Sequence, residues 1–263
     1  TLLLGWGVWV LPAQQGTPRM AVPAVPSVKP GPFVFIEEFM HSAVTNGLIG
    51  THGWLVHNIG AAPTIAYQAS TAASWGIVRI TTTTTTGQGG GIGAGGSTTG
   101  FVFPIGTQTG PMDAYMRFAL GATTEIRVRV GLLTPVTTAV QPTNGVFIRY
   151  DTNVGFADTQ FMLCRRVASD AEACITTGVA ADTSFHTFRI FTTSGSPTII
   201  NASVDGGATV CMTTAGAGCG LVSTTFPVIN LAPASQVVTD AAATAKFIDI
   251  DYWGVLAQGL ARL

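Results

Sequence analysis

Charged residues are scarce in this sequence. Asp, Glu, Lys and Arg together make up 10% of its 263 residues, whereas a typical globular protein has about 25%. The net charge is −1 and the one adjacent basic pair is Arg165-Arg166, so little positive charge is available for binding nucleic acid. The mean hydropathy is high, at +0.43. A surface with so few charges is more typical of a subunit in an assembly than of a free cytosolic monomer.

Long apolar runs are missing as well. No stretch reaches the roughly 18 uninterrupted apolar residues of a membrane helix, and the apolar character is divided among many short segments. The opening stretch "TLLLGWGVWVLPAQQGTPRM" lacks the positively charged start of a signal peptide. We therefore interpret it as part of the structure and expect no membrane partner.

Motifs of catalysis and cofactor binding are absent or out of context. There is no Gly-x-Ser-x-Gly, His-x-His, His-Glu-x-x-His or Gly-Lys-Ser/Thr. A Gly-x-Gly-x-x-Gly does occur at Gly91, Gly93 and Gly96, but a dinucleotide site needs a helix after these glycines. The sequence that follows, "STTGFVFPIG", is β-branched, aromatic and interrupted by proline. We therefore predict a flexible or tightly turned loop here, and neither a catalytic residue nor a cofactor.

The four cysteines form two close pairs. Cys164 and Cys174 bracket one short turn-rich segment, and Cys211 and Cys219 bracket another. Neither pair has Cys-x-x-Cys spacing or an adjacent histidine, which disfavours a zinc site. We favour disulfides that span two hairpins over buried free thiols. Such disulfides indicate an oxidising or extracellular setting.

Residues 1–32 differ from the rest of the chain. Six prolines recur in them without a helical or alternating pattern, which favours an extended, polyproline-like arm. An extended arm cannot bury its own apolar side chains, so we favour docking on a partner over packing on its own domain. The predicted docking residues are Leu3, Leu4, Trp6, Val8, Trp9 and Leu11.

From residue 33 onward the pattern predicts β-strands. In "EIRVRV", Ile126, Val128 and Val130 lie on one face and charged residues on the other. The segments "DAYMRFAL", "GVFIRYD", "SFHTFRIF", "SPTIINASV" and "KFIDIDYWGV" are likewise rich in β-branched and aromatic residues. No segment shows sustained helical periodicity. We expect an all-β domain over residues 33–257, a jelly roll or β-sandwich, followed by a tail over 258–263.

One strand carries a candidate catalytic pair. Asp249 and Asp251 in "FIDIDYWG" are two residues apart, so on a strand they share a face at roughly 6–7 Å, close to the separation of glycosidase carboxylates. Trp253 would lie on the same face and could stack on a sugar. The simpler interpretation, which we favour, places the intervening apolar residues in the core and the aspartates in solvent or against a neighbour.

Metal ligands are few. Asp151, Asn153 and Asp158 in "YDTNVGFAD" could supply oxygens to calcium, but an Asx-rich turn explains them equally well. Two of the histidines are five residues apart, so on one strand they would face opposite ways. We predict no metal site at the histidines, which are His41, His52, His57 and His186.

The order of these features resembles the concanavalin A-like lectin/glucanase superfamily, in the divergent form found in structural proteins of tailed bacteriophages. The resemblance covers about residues 33–257. It rests on "FVFIEEFMHSAVTNGLIGTHGWLVHNIG", "WGIVRITT" with its glycine-rich continuation, "GVFIRYD", the cysteine-flanked hairpin, "DTSFHTFRI", "INASVDGG" and "FIDIDYWGVL". It implies a rigid sandwich used in virions as a decoration, fibre or adhesion module.

The resemblance does not extend to catalysis. Glucanases of the superfamily carry Glu-x-Asp-x-x-Glu, and "DIDYWG" departs from it at both glutamates; the metal ligands of its lectins cannot be matched either. We therefore expect a non-enzymatic virion protein that decorates the capsid. It would sit on the outside of the particle, dock through its arm on the shell or on a neighbouring copy, and form a homo-oligomer such as a trimer.

Two alternatives remain. One is a glycan-binding adhesion module of a tail or fibre, with Trp253, Tyr252 or the glycine-rich loop near the sugar. The other is a divergent glycoside hydrolase that uses Asp249 and Asp251.

Overall fold

The computed structural model describes residues 33–39, 48–69, 74, 76–94, 103–104, 111–134, 141–168, 170–193, 199–213, 219, 221–222, 230–240 and 244–257. All regular elements in these ranges are β-strands. The part of the chain described thus contains no helix able to span a bilayer. The predicted arm (1–32) with its docking residues, the tail (258–263) and His41 lie outside the described residues.

The strands in chain order are β1 (Phe33–Glu37), β2 (Leu48–Ile49), β3 (Trp54–Ile59), β4 (Thr64–Gln68), β5 (Ile77–Thr81), β6 (Gly89–Gly93), β7 (Phe103–Pro104), β8 (Met112–Leu120), β9 (Ile126–Leu133), β10 (Gly145–Asp151), β11 (Gln160–Arg166), β12 (Ala173–Ala180), β13 (His186–Thr192), β14 (Ile199–Val204), β15 (Val210–Thr213), β16 (Leu221–Val222), β17 (Asn230–Thr239) and β18 (Phe247–Ala257).

These strands form two packed sheets. Sheet I has the order β16-β15-β14-β13-β8-β18-β5-β4, and β1 pairs with the second half of β18. Sheet II has the order β12-β11-β10-β9-β17-β6-β3-β2, and β7 pairs with β17. All pairs are antiparallel except β15 with β16. Because the chain passes from one sheet to the other between β8 and β9 and again between β17 and β18, the architecture is a jelly roll, which confirms the predicted fold class.

The core lies between the two sheets. Strands such as β13 alternate buried and half-buried residues, because successive side chains point to opposite faces. The rings of Trp54 and Trp253 lie 6.1 Å apart at one end of the core, and those of Phe118 and Phe188 stack at 4.4 Å further along. The indole Nε1 of Trp253 donates to Ser235 Oγ at 3.1 Å, which links β18 of sheet I to β17 of sheet II.

The glycine-rich segment is a strand, not a loop. Residues Gly89–Gly93 form β6, which lies inside sheet II between β3 and β17. A Cβ on Gly91 would lie 2.1 Å from the carbonyl oxygen of Ser235, and a Cβ on Gly89 would lie 2.1 Å from that of Val237. Glycine is therefore required because β17 approaches too closely for a side chain. The prediction of a loop was wrong for this part of the motif, and Gly96 lies outside the described residues.

A β-bulge corrects the predicted orientation of Trp253. The pairing of β18 with β8 shifts register between Ile250 and Tyr252, so Asp251 is an extra residue. The alternation reverses after it: Tyr252 turns outward and Trp253 inward, where Trp253 is 0% exposed. The expectation that Trp253 shares a sugar-binding face with Asp249 and Asp251 is therefore wrong. The alternation of inward-facing and outward-facing side chains along a strand cannot be extrapolated across a bulge.

The close approach of β6 and β17 can be tested by adding one methyl group. We expect Gly91→Ala to lower the free energy of unfolding by about 2–3 kcal/mol, because overpacking of this kind forces the backbone to shift. Gly155 is the matched control, because a Cβ there would meet its nearest atom at 3.9 Å. Gly155→Ala should change the free energy by less than about 0.5 kcal/mol. Urea unfolding followed by tryptophan fluorescence measures both, and equal effects would contradict the assignment.

Candidate functional site

The outer face of sheet II carries a buried ionic network. Val128 and Val130 point into the core, so Arg127 and Arg129 must point outward from β9. In register with Arg129, on the neighbouring strand β10, lies Arg149. We call this set the arginine network. Its members are Arg127, Arg129, Arg149, Asp151, Asp158, Glu172 and Asp240.

Glu172 bridges two guanidinium groups at the centre of the network. It accepts from Arg129 Nε at 2.8 Å through Oε1 and from Arg149 Nη1 at 2.9 Å through Oε2. Arg129 also donates to Asp151 at 3.0 Å, and Arg149 binds Asp158 with two hydrogen bonds of 2.9 Å. These five side chains are 5% exposed or less. Buried charges need this degree of pairing because each has lost its water.

The acidic turn before β11 belongs to this network. Asp151 accepts from the backbone N–H of Asn153 at 3.0 Å, and Asp158 accepts from the backbone N–H of Asp151 at 3.0 Å. The turn is thus an Asx turn, and its carboxylates are compensated by Arg129 and Arg149. This arrangement explains the acidic residues without the calcium ion that the sequence left open.

The pKa values follow from burial and pairing. Burial raises the pKa of Asp151, and the charge of Arg129 counters this only in part. Burial alone would raise the pKa of Glu172 too, but Arg129 and Arg149 outweigh it and lower the pKa. Burial would lower the pKa of Arg149, yet Asp158 and Glu172 raise it overall. The bridge between Glu172 and Arg149 is therefore ionised at neutral pH and cannot supply a general acid.

A disulfide holds Glu172 in place. Cys164 on β11 is bonded to Cys174 on β12, and Glu172 lies two residues before Cys174. Carboxylate and sulfur atoms of these three residues lie within 4.8 Å of one another, the one group with metal-ligand spacing among the residues described. Both sulfurs are consumed in the disulfide. The second predicted pair, Cys211 and Cys219, is bonded as well.

The two candidate catalytic aspartates lie on the outer face of sheet I, and each is bound by an arginine. Asp249 accepts two hydrogen bonds of 2.7 Å from Arg79. Asp251 accepts from Arg117, which also donates to Ser74 Oγ at 2.8 Å. The two aspartates thus share a face, as predicted, but neither carboxylate is free to transfer a proton or attack a sugar. The geometry does not support the hydrolase that would use this pair.

Two of the described histidines are also partnered by acids. His52 Nδ1 lies 3.1 Å from Glu37 Oε2. His186 lies between Asp205 and Asp182, at 2.6 and 3.1 Å from its two ring nitrogens. These contacts assign both rings a structural role.

The remaining histidine lines a shallow recess on the outer face of sheet II. Gly91 and Ala234 line it together with three polar residues, His57, Thr134 and Gln236. His57 Nε2 is buried and has no hydrogen-bond partner within the described residues. Burial lowers the pKa of His57, so the ring is neutral at pH 7. A neutral imidazole can donate to or accept from a ligand hydroxyl.

Sequence patterns did not predict this recess. It spans β3, β6, β17 and β9, which are neighbours only in the folded sheet. The run "GGGIG" was the available signal, because glycines inside a sheet often mark a place where another group approaches closely.

Comparison with known proteins identifies the architecture. No protein-family profile matches the chain, and no curated protein sequence is similar enough to count as a relative. A protein of unknown function from Shewanella oneidensis MR-1 superimposes with a TM-score of 0.55 at 14% identity, over 90% of this chain and 92% of its own. The chain has a concanavalin A-like jelly-roll fold.

Two further structures share this concanavalin A-like fold. An immunostimulatory antigen and pseudo β-1,3-glucanase of Mycobacterium tuberculosis matches with a TM-score of 0.53 at 13% identity, over 85% of this chain and 98% of its own. The CBM2 module of the evolved Dit protein of Lactobacillus casei BL23 phage J-1 matches with a TM-score of 0.53 at 10% identity, over 90% of this chain and all of its own. Identities this low establish the fold and not an activity.

The bridge at Glu172 can be tested by removing its charge. We expect Glu172→Gln to lower the free energy of unfolding at pH 7 by about 3 kcal/mol or more, because two buried guanidinium groups lose their shared carboxylate. Asp170→Asn is the matched control on the same hairpin, since Asp170 is 48% exposed and pairs with a single arginine, Arg165, whose side chain is 8% exposed. Its cost should be smaller, about 1–2 kcal/mol, because one half-exposed ion pair is weakened instead of a carboxylate shared by two buried guanidinium groups. Urea unfolding measures both.

The loss of stability caused by Glu172→Gln should be larger at neutral pH than at acidic pH. The pKa of Glu172 is lower in the folded protein than its ordinary value of 4.5, so its stabilising contribution is complete above pH 4.5. That contribution is lost as the pH falls through the folded pKa. The difference between the wild type and Glu172→Gln should therefore narrow below pH 4.5. A difference of equal size at pH 7 and pH 3 would contradict the bridge.

Proposed function

We propose that the protein is a virion structural protein that decorates the capsid, with residues 1–32 as the docking arm and the jelly roll displayed outward. The observation that carries the proposal is the pairing of carboxylates with arginines. The candidate catalytic residues Asp249 and Asp251 are held in this way, and so are Asp158 and Glu172 of the arginine network. A body of this kind serves as a rigid module rather than as a catalyst.

Three other features support display on a particle. The two disulfides and the arginine network brace the body, which suits an extracellular setting. The surface has few charges, as expected of a protein whose neighbours cover part of it. The phage J-1 module with the same fold is part of a phage protein.

Truncation of the arm tests this function. Deletion of residues 1–32 should abolish attachment to virions that lack the protein, because the apolar docking residues are lost, while the jelly roll stays folded. Deletion of residues 258–263 serves as the control and should leave attachment unchanged. Co-sedimentation with virions measures attachment, and circular dichroism checks the fold. Full attachment of a folded chain without residues 1–32 would refute the proposal.

A second candidate function is glycan binding in adhesion. The observation that favours it is the recess at His57, which brings an imidazole, an amide and a hydroxyl together beside Gly91 and has room for one hydroxyl of a sugar rather than for a whole ring. Small-molecule sites typically present a few polar groups in this manner. The phage J-1 neighbour is described as a CBM2 module. We place the candidate sugar site at this recess and not at the face of Asp249 and Asp251, because Trp253 is buried and cannot stack on a sugar there.

Glycan binding can be tested at the recess itself. On a glycan array at millimolar ligand, we expect wild-type binding that His57→Ala weakens about five- to tenfold, the loss for one hydrogen bond. Asn58→Ala is the matched control, because Asn58 is exposed on the same strand and lies outside the recess. If no glycan binds, or if both variants bind equally well, the second candidate fails and the decoration role is unaffected.

A further inference from the structure

The outer face of sheet I has an exposed apolar patch at its edge. Val34 and Ile36 on β1 are 49% and 46% exposed, and they are two of the four large apolar side chains exposed among the described residues. Ile36 lies opposite Gly254 of β18, and Val34 lies opposite Leu256. On its other side, Gly254 lies opposite Tyr115 of β8. We call this patch the Gly254 dent. Its residues are Val34, Ile36, Tyr115, Gly254 and Leu256.

The centre of the patch lacks a side chain. A Cβ placed on Gly254 would fit without a clash, because its two nearest atoms would lie at van der Waals distance: the carbonyl oxygen of Phe35 at 3.7 Å and the Cβ of Tyr115 at 3.9 Å. Gly254 does not have a positive φ, so backbone geometry does not require glycine. The absence of a side chain leaves room between Ile36 and Tyr115 for an apolar group from elsewhere.

We propose that the Gly254 dent receives the apolar head of the arm, residues 2–11, from a second copy of the chain. This inference rests on the proposed docking arm and names its partner. The chain outside the described body ends next to the dent, since Phe33 precedes Val34. The head contains Trp6, Trp9 and several leucines and valines. It has no charged residue, and the nearest one after it in the sequence is Arg19. An apolar, uncharged segment matches an exposed apolar patch.

The length of the proline-rich connection favours a second copy over the same chain. Residues 12–32 contain six prolines, and a polyproline-like segment rises about 3.1 Å per residue. These 21 residues could thus span roughly 65 Å. A body of this size has a radius of gyration of about 17 Å. An arm extended in this way carries its head past the dent of its own body. Exchange of arms between copies then produces a closed oligomer.

Sedimentation equilibrium of the full-length chain tests the exchange. Wild type should be oligomeric. Ile36→Asp and Gly254→Val should each weaken association at least tenfold, the first by adding a charge and the second by filling the dent with a residue favoured in strands. Deletion of residues 2–11 should have the same effect. Val154→Asp is the matched control, because Val154 is 98% exposed on a turn outside the dent, and it should remain oligomeric.

Isotope mixing shows which copy supplies the head. A photo-crosslinker in place of Trp9, in a mixture of ¹⁴N- and ¹⁵N-labelled chains, should give crosslinked peptides from β1 or β18 in which the two halves carry different isotopes. If the two peptides of every crosslink carry the same isotope, each arm covers its own body, and the inference is overturned. A monomeric wild-type chain would overturn it too, as would crosslinks that all fall outside the dent.

The test of arm exchange and the test of virion attachment can fail independently of each other. If exchange is absent but deletion of residues 1–32 still abolishes virion attachment, only the exchange is wrong. If exchange occurs and the truncated chain still attaches to virions, the docking role of the arm is wrong and the exchange stands.

Discussion

The apolar contact between the inner faces of the two sheets determines where the charged side chains of β9 can lie. Alternate residues of a strand point to opposite faces, so the packing of Val128 and Val130 in the core sends Arg127 and Arg129 to the outer face. The hairpin of β11 and β12, closed by Cys164–Cys174, then brings Glu172 over these arginines. Once covered, they require acidic partners, because an unpaired buried charge costs several kcal/mol.

This requirement shapes what the molecule can do. Of 25 charged residues, 12 basic and 13 acidic, seven belong to the arginine network, and the pairs Arg79–Asp249 and Arg117–Asp251 account for four more. Acids that could have formed a hydrolytic site are thus used as structural ligands. The fold is shared with a pseudo-glucanase and with a phage module, but a shared fold does not transfer an activity, which depends on the site.

The two outer faces offer different surfaces. Sheet II presents the recess lined by His57, Gln236 and Gly91. Sheet I presents the apolar Gly254 dent, beside β1, which directly follows residues 1–32. The proposed exchange of arms and the proposed binding of a glycan would therefore use different faces of the molecule.

Local pattern in the sequence by itself determined strands such as those of "EIRVRV", "DAYMRFAL" and "GVFIRYD", the all-β class and the core-facing side of "EIRVRV", because side-chain alternation is a property of each strand alone. It also indicated that Cys164 and Cys174 bracket a hairpin. Only the tertiary structure decided that "GGGIG" is a strand, that a bulge at Asp251 turns Trp253 inward, and that Glu172 bridges Arg129 and Arg149. Each of these depends on how closely strands distant in sequence approach one another, and no local pattern records that distance.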